Sequence, residues 1–428
     1  MEKFIINGGN KLIGEVEISG AKNAVLPILA ATILCEDKCI IENIPQINDV
    51  SVTFRIIYEL GGDIKMINKT TYEIDTKGIN SVNVPYELTK MMRSSYYFMG
   101  SLLARFGNAR VSMPGGCNFG TRPIDLHLKA FESLGATTTV ENGIVNLHSD
   151  MLIGNQIFFD NITVGATINS MLAATKAEGI TIIENAAKEP HIVDLANFLN
   201  SMGADVRGAG TDVIKIHGVK ELHGATYSII PDQIEAGTFM VAAAATKGDV
   251  LIKNVIPKHL EAISSKLIKM GATVEEFDDS IRVIGSEIIE KCNIKTFPHP
   301  GFPTDMQPQI SVLLTVANGT STVTETIFDN RFKYVDELRR MGASIQVDGK
   351  VAVIEGIKQL TPAPVRATDL RAGVALIIAG LMCESGQTEI EDIQFIERGY
   401  EDICNKFNNL GANIKKVKIP GPSMANAI

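Results

Sequence analysis

ELGGDIK (59–65), SLGATTTV (133–140), SMGADVR (201–207), KMGATVE (269–275), RMGASIQ (340–346) and NLGANIK (409–415) are one phrase occurring six times. In each, a helix ends in Leu or Met, a glycine follows, and a short strand begins. The glycines stand at 61, 135, 203, 271, 342 and 411, between 68 and 74 residues apart. A glycine just past the last helical turn is a stop signal, because it adopts the left-handed conformation that other residues resist. A period near seventy residues kept six times describes one structural unit copied along the chain.

Working outward, each unit opens on an Ala/Leu-rich segment: AVLPILAATIL (24–34), SSYYFMGSLLARF (94–106), TINSMLAATKA (167–177), AGTFMVAAAAT (236–246), QISVLLTVA (309–317) and GVALIIAGLM (373–382). These are apolar nearly all round, so they predict buried helices. A β-branched strand follows each, as in KCIIEN (38–43) and ITIIEN (180–185). Then come a polar loop, a one-sided helix such as VDELRRMGA (335–343), the glycine and another strand. The expected fold class is therefore α/β, with buried helices and outer sheets. Six units suggest two domains of three, with a boundary near Ser228–Pro231. Residues 22–229 would form the first domain. Residues 1–21 and 230–428 would form a discontinuous second, because the strand expected over Phe4–Ile18 has no partner of its own and should join the last units. A closed ring of six is the alternative.

With 428 residues, 45% hydrophobic and 21% charged, the composition is that of a soluble globular protein too long for one core. The net charge of −9 argues against nucleic acid or an anionic membrane as partner. The start, MEKFIINGGNKLIGE, lacks the apolar stretch of a signal peptide, and Val374–Cys383 is only half a membrane span. A cytoplasmic protein is expected, with free thiols at Cys35, Cys39, Cys117, Cys292, Cys383 and Cys404. None of these forms a CxxC pair or a zinc spacing, so no metal is expected. Oligomeric state is left open.

Polar residues recur at the starts of the buried helices. Lys22, Arg93 and Thr163 occupy equivalent places in the first three units, and Asp232, Asp305 and Asp369 in the last three. For each aspartate, capping of the helix is the plainer reading. Capping does not account for Lys22 and Arg93, whose charge opposes the helix dipole; a helix start with an added cation suits an anion. The loops before the second helices carry Arg122, Arg331 and Arg398, with His191 and Lys258 in similar places. Arginine suits bidentate binding of carboxylate and phosphate. If the two halves turn their helix starts toward each other, basic and acidic groups line one cleft. The segment SMPGGCNFGTR (112–122) replaces the short turn of other units. It predicts a mobile loop with an exposed, partly ionised Cys117 beside Arg122.

The motifs GAKNAVLP (20–27), PGGCNFGTRPIDLH (114–127), TVGAT (163–167), PGFPTDMQPQ (300–309), TETIFDNRF (324–332), ATDLRAG (367–373) and ERGYE (397–401) resemble the enolpyruvyl transferase family. The resemblance spans nearly the whole chain, in order. Within the family, the Cys-bearing GGC loop is similar to enzymes that act on UDP-N-acetylglucosamine rather than on shikimate phosphate. The resemblance implies two inside-out α/β domains of three repeats each, transfer of the enolpyruvyl group of phosphoenolpyruvate in peptidoglycan precursor synthesis, and neither metal nor organic cofactor. It implies that Lys22 and Asn23 bind phosphoenolpyruvate and that Arg122 and Arg398 hold its phosphate and carboxylate. Arg93, the run Arg122, Pro123, Ile124, Asp125 and Leu126, then Thr163, Val164, Gly165, Asp305 and Ile327 would contact the UDP-sugar. Asp305 would accept the proton of the sugar 3-hydroxyl, and Cys117 would act as general acid and be the target of the epoxide fosfomycin. Asp369, Arg331 and Arg371 would support the tetrahedral intermediate. The chain departs from the family pattern at Phe395-Ile396-Glu397, where His-Ile-Asp is common, and at the aromatic residues of MMRSSYYFMG (91–100).

Overall fold

The six repeat glycines all lie in the left-handed region, with φ of 107, 90, 98, 98, 90 and 98° in chain order. The residue before each, Leu60, Leu134, Met202, Met270, Met341 or Leu410, is buried. The residue after each returns a backbone N–H to the carbonyl five positions back: Gly62 to Ile57, Ala136 to Phe131, Ala204 to Leu199, Ala272 to Leu267, Ala343 to Leu338 and Ala412 to Phe407, at 2.9–3.1 Å. The glycine N–H groups donate three positions back, from Gly61 to Tyr58 O through Gly411 to Asn408 O. This paired closure satisfies the last carbonyls of a helix and turns the chain sharply into the following strand.

The computed structural model describes residues 2–113 and 124–418. They divide into two units, one of residues 20–113 and 124–231, the other of 2–19 and 232–418. Each unit has its own hydrophobic core. In the first, the opening helices of the repeats are Lys22–Ala31, Tyr97–Phe106 and Val164–Ala174. In the second they are Gln233–Ala245, Gln307–Leu314 and Leu370–Met382. All residues of Gln307–Leu314 are buried, and all but the terminal Met382 of Leu370–Met382. A helix with no polar face can be stable only when surrounded, as expected from its composition. The second helices are one-sided. Asn48–Glu59 buries Asp49, Val50, Val52, Thr53, Ile56 and Ile57, at helical spacing.

Six four-stranded sheets complete the units. In the first sheet, Lys38–Glu42 pairs antiparallel with Thr71–Asp75, which pairs antiparallel with Asp63–Asn68. Its other edge takes a parallel strand from elsewhere: Thr226–Ser228, from the third repeat. The first repeat in turn sends Asn83–Val84 to Asn108–Ser112 in the second, and the second sends Gln156–Phe158 to Ile180–Glu184 in the third. Three repeats thus close on themselves, and the same exchange joins the fourth, fifth and sixth through Ile294–Lys295 and Pro364–Arg366. Two cycles of three replace the ring of six.

The N-terminal strand is not continuous. Glu2–Asn7 lies between Gln387–Glu391 and Asn413–Lys418 in the sixth sheet, while Ile13–Glu17 pairs parallel with Asp249–Lys253 in the fourth. Gly9, at φ 89°, lies in the break between them. In the sixth sheet Glu2–Asn7 takes the place that the second hairpin strand holds in the other sheets, and Ile13–Glu17 takes the parallel edge of the fourth.

The helix stop generates a stability prediction. At Gly342 a Cβ would meet nothing closer than Thr361 Oγ1 at 3.5 Å, so Gly342→Ala adds backbone strain without a clash. We expect a loss of about 1–2 kcal/mol in urea unfolding, and a smaller loss for Gly342→Asn, since Asn tolerates the left-handed region. An unchanged midpoint for the alanine variant would remove the stop from the account of the fold.

Candidate active site

Two clusters of polar side chains sit at the starts of the buried helices, one in each unit. In the first unit, Lys22 is the first residue of its helix, directly after the N-cap Ala21. Its ammonium lies 2.8 Å from Asp49 Oδ2, and both side chains are buried. Asp49 stands in the first turn of the neighbouring helix Asn48–Glu59, where a carboxylate also meets the positive end of a helix dipole. The charge that seemed to oppose a helix is therefore balanced by an acid at the start of the next. Asn23 follows, half-buried.

Arg93 opens the 3-10 turn Arg93–Tyr96, and its guanidinium lies 5.7 Å from the centre of the Tyr96 ring. Beneath it, Asn169 is pinned at both ends of its amide. Its Oδ1 accepts from Gly100 N at 3.0 Å, and its Nδ2 donates to Tyr96 O at 3.1 Å and to His127 Nδ1 at 2.9 Å. The imidazole must accept at Nδ1 and so carries its proton on Nε2. Burial, aided by Arg93, pushes the His127 pKa down to about 3, so the ring stays neutral. A Cβ on Gly165 would meet Tyr96 Oη at 2.7 Å and His127 Cε1 at 2.9 Å, so only glycine fits there. Thr163 caps the helix Val164–Ala174, whose first residue Val164 is half-buried. Ile124 is buried, Leu126 packs against the core, and Asp125 is exposed in the first turn of Asp125–Ser133. Cys117, Arg122 and Pro123 lie outside the described residues.

In the second unit, Asp232 and Asp369 are helix caps. Asp232 Oδ1 accepts from Ile234 N and Glu235 N at 2.8 and 3.0 Å; Asp369 Oδ1 accepts from Arg371 N and Ala372 N at 2.8 and 3.1 Å. Asp305 is not a cap, which corrects the plainer reading. It lies inside the 3-10 turn Thr304–Met306, whose N-cap is Pro303, while the N-cap of the following helix is Met306. Its Oδ1 accepts from Arg331 Nη2 at 3.2 Å, and its Oδ2 from Arg371 Nε and Nη2 at 3.1 and 2.9 Å. Both guanidinium side chains are almost wholly buried, at 1% and 4% exposure, whereas Asp305 keeps 27%. Burial opposes the charge on Arg371, but the Asp305 carboxylate, Tyr400 and Asp232 together outweigh it and hold the pKa raised. Tyr400 covers the same guanidinium with its ring at 5.4 Å, and its hydroxyl lies 2.8 Å from Thr238 Oγ1. Asp369 thus fixes the helix start that carries Arg371, and Arg371 fixes Asp305. Arg331 is buried rather than a solvated loop charge. His191 is also buried, inside the helix Pro190–Ser201 rather than in the loop before it. Ile327 is 37% exposed, and Arg398 is half-buried at the end of the 3-10 segment Ile393–Arg398.

The fold therefore joins Asp305, Arg331, Asp369 and Arg371 in one network, and Gly165 and Arg93 around one tyrosine–histidine contact, with Thr163 capping the helix that carries Gly165. Sequence reasoning missed Asp49, Tyr96, His127 and Asn169. The aromatic run 96–98 and the last residue of the 114–127 motif were visible signals for two of these; Asp49 carried none. Among the described residues, no cluster of three or more His, Cys, Asp or Glu could hold a metal ion. Nor is any helix among them long and apolar enough to cross a membrane.

The Asp305 geometry changes the expected cost of removing it. A cap is worth about 1 kcal/mol. Taking one carboxylate from two buried guanidiniums costs about 3 kcal/mol, the low end for breaking a buried pair, because Asp305 is partly exposed. Urea unfolding of Asp305→Ala distinguishes the two; a loss near 1 kcal/mol would return Asp305 to a capping role.

Comparison with known proteins agrees with this architecture. The family profile of EPSP synthase (3-phosphoshikimate 1-carboxyvinyltransferase) matches residues 6–407. UDP-N-acetylglucosamine 1-carboxyvinyltransferase 3 of Caldanaerobacter subterraneus subsp. tengcongensis is 54% identical over 418 residues, covering 98% of this chain and 100% of that protein. UDP-N-acetylglucosamine 1-carboxyvinyltransferase of Clostridium botulinum is 56% identical over 418 residues, covering 97% and 100%. Among solved structures, the enolpyruvyl transferase NikO from Streptomyces tendae superposes with a TM-score of 0.88 at 25% identity, covering 98% of this chain and 99% of that one. EPSP synthase from Acinetobacter baumannii gives 0.76 at 21% identity, covering 98% and 100%, a likeness of fold.

Proposed function

The chain belongs to the EPSP synthase family of carboxyvinyltransferases, and from that premise we propose that it transfers the enolpyruvyl group of phosphoenolpyruvate to the 3-hydroxyl of UDP-N-acetylglucosamine, releasing phosphate. The observation that carries the choice of acceptor is identity above 50%, over essentially full length, to relatives bearing that name. The product is the first committed precursor of peptidoglycan. Both substrates are metabolites of the cell interior, so the enzyme works in the cytoplasm.

The reaction is an addition followed by an elimination. The sugar oxygen bonds to the central carbon of phosphoenolpyruvate, and a proton adds to its methylene to make a methyl group. The C–O bond to phosphate then breaks, the methyl group loses a proton, and the vinyl group is restored. Asp305 accepts the hydroxyl proton, with both carboxylate oxygens aimed by Arg331 and Arg371. Lys22, with Asn23, Arg122 and Arg398, holds the phosphate and carboxylate of phosphoenolpyruvate and offsets their charge. Asp49 keeps the Lys22 ammonium in place until the substrate arrives. Arg93, the 122–126 run, Thr163–Gly165 and Ile327 receive the UDP-sugar. Asp369 and the two buried arginines steady the tetrahedral intermediate. Cys117 delivers the proton to the methylene. Each unit serves as one domain, and the first carries the Cys117 loop.

The direct test is phosphate release from phosphoenolpyruvate, with UDP-N-acetylglucosamine compared against shikimate 3-phosphate. Release with the sugar nucleotide alone is expected. Release with shikimate 3-phosphate instead would move the chain to the other branch of its family.

A thiol-specific prediction accompanies it. Cys35, Cys39, Cys292 and Cys383 are buried, and Cys404 is half-buried. Burial, with Asp402 nearby, pushes the Cys404 pKa up to about 12, which leaves little thiolate at neutral pH. Treatment with fosfomycin should therefore modify Cys117 alone, as read by peptide mass spectrometry. Cys117→Asp should keep activity and resist the epoxide, because an acid of similar reach can still donate a proton. An adduct on another cysteine would overturn the assignment.

A further inference from the structure

The repeats provide an internal control for each other: four of them keep one rule at the end of the first strand, and the fifth breaks it. The first strand of a repeat usually ends in a left-handed Asn or Asp: Asn43, Asn185, Asn254 and Asp392 have φ of 55–58°. In three of these the side chain performs the same task. Asn43 Nδ2 donates to Ile229 O, Asn185 to Phe159 O and Asn254 to Ile18 O, at 2.7–2.8 Å. Each of those carbonyls belongs to the residue just past the parallel strand that arrives from another part of the chain. The amide thus closes the end of the sheet by donating one hydrogen bond to backbone.

In the fifth repeat the strand Thr320–Thr324 is followed by Glu325. Its side chain is 1% exposed, yet it bears a carboxylate. Burying such a group is costly unless its oxygens are fully bonded. Four donors serve it. Oε1 accepts from Thr296 Oγ1 at 3.0 Å, Ile327 N at 2.8 Å and Phe328 N at 3.2 Å; Oε2 accepts from Thr304 Oγ1 at 3.0 Å. Thr296 is the residue just past the incoming strand Ile294–Lys295, the place matched by Ile229, Phe159 and Ile18. The junction is the same, but the polarity is reversed, and the side chain now reaches a second segment, at Thr304. Thr304 is held at its other end as well, since its carbonyl accepts from Arg331 Nη2 at 3.2 Å. That same Nη2 donates to Asp305.

We propose that Glu325 is a positioning residue for the transfer reaction: it locks the turn carrying Asp305 to the loop carrying Ile327, so that base and sugar contact move as one piece. This rests on the function proposed above. A purely structural junction needs only the amide found in the first, third and fourth repeats. A buried carboxylate that gathers donors from three segments is a stronger and more rigid anchor, because hydrogen bonds to a carboxylate are shorter and stronger than neutral ones. A departure from the local rule of a repeat is also where a functional demand is expected.

The experiment uses the full chain in steady-state kinetics with phosphoenolpyruvate and UDP-N-acetylglucosamine varied separately. Thr304→Val removes only the hydroxyl that links Glu325 to the Asp305 turn and leaves the Glu325 loop bonded. It should lower kcat by about tenfold to a hundredfold, the scale of a misplaced catalytic group, with the KM for phosphoenolpyruvate unchanged. Glu325→Gln should lower kcat as well and raise the KM for the sugar nucleotide, and Glu325→Ala should do both more strongly. Thermal unfolding of each variant reports the folded fraction, to which kcat is normalised. Wild-type kcat in both Thr304→Val and Glu325→Gln would overturn the proposal, as would a loss that vanishes on normalisation. An inactive wild-type enzyme would instead sink the proposed function and leave the junction as structure.

Discussion

The apolar helix that opens each repeat has no face that water can tolerate. Gln307–Leu314 is buried along its whole length, four others all but for one residue, and Tyr97–Phe106 through Leu103. One repeat has too little surface to cover its own helix, so repeats must supply walls for one another. The solution is a cycle of three, in which each repeat passes one parallel strand to the next and the last passes one back to the first. The second cycle has the same logic. The N-terminal strands Glu2–Asn7 and Ile13–Glu17 complete it, which is why that unit is built from both ends of the chain.

This arrangement leaves the helix starts as the natural places for chemistry. Their N–H groups are unbonded within the helix, their dipoles favour anions, and their side chains stand at the edge of a rigid core. The chain uses the six starts unequally. Asp232 and Asp369 satisfy the N–H groups of their own helices. Lys22 instead faces the carboxylate of Asp49, and Asp305 faces two guanidiniums. Charges that are expensive to bury are thus held in pairs and networks.

The glycine stops, the all-apolar helices and the strand compositions follow local rules, and the structure bears them out repeat by repeat. The anchoring of the charged residues at the candidate site follows no local rule. Asp305 and Asp369 look alike as residues at helix starts, yet one is a cap and the other an ion-pair hub. The difference lies in Arg331 and Arg371, which are 26 and 66 residues away in sequence from Asp305. Glu325 reads as an ordinary polar residue in TETIFDNRF until the fold sets Thr296 and Thr304 around it.

What the sequence by itself determined was the repeat, its helix stops, its buried helices and the residue types at the helix starts. These depend on backbone conformation and side-chain polarity over a few neighbouring positions, so they are written locally. The motifs also carried the family resemblance, because they run in order along nearly the whole chain. Only the tertiary structure decided which repeat takes which edge strand, how the N-terminal segment divides between two sheets, and which charges share a partner. Those outcomes depend on distances between residues far apart in the chain, and on the requirement that every buried charge find its counterpart once the helices are enclosed.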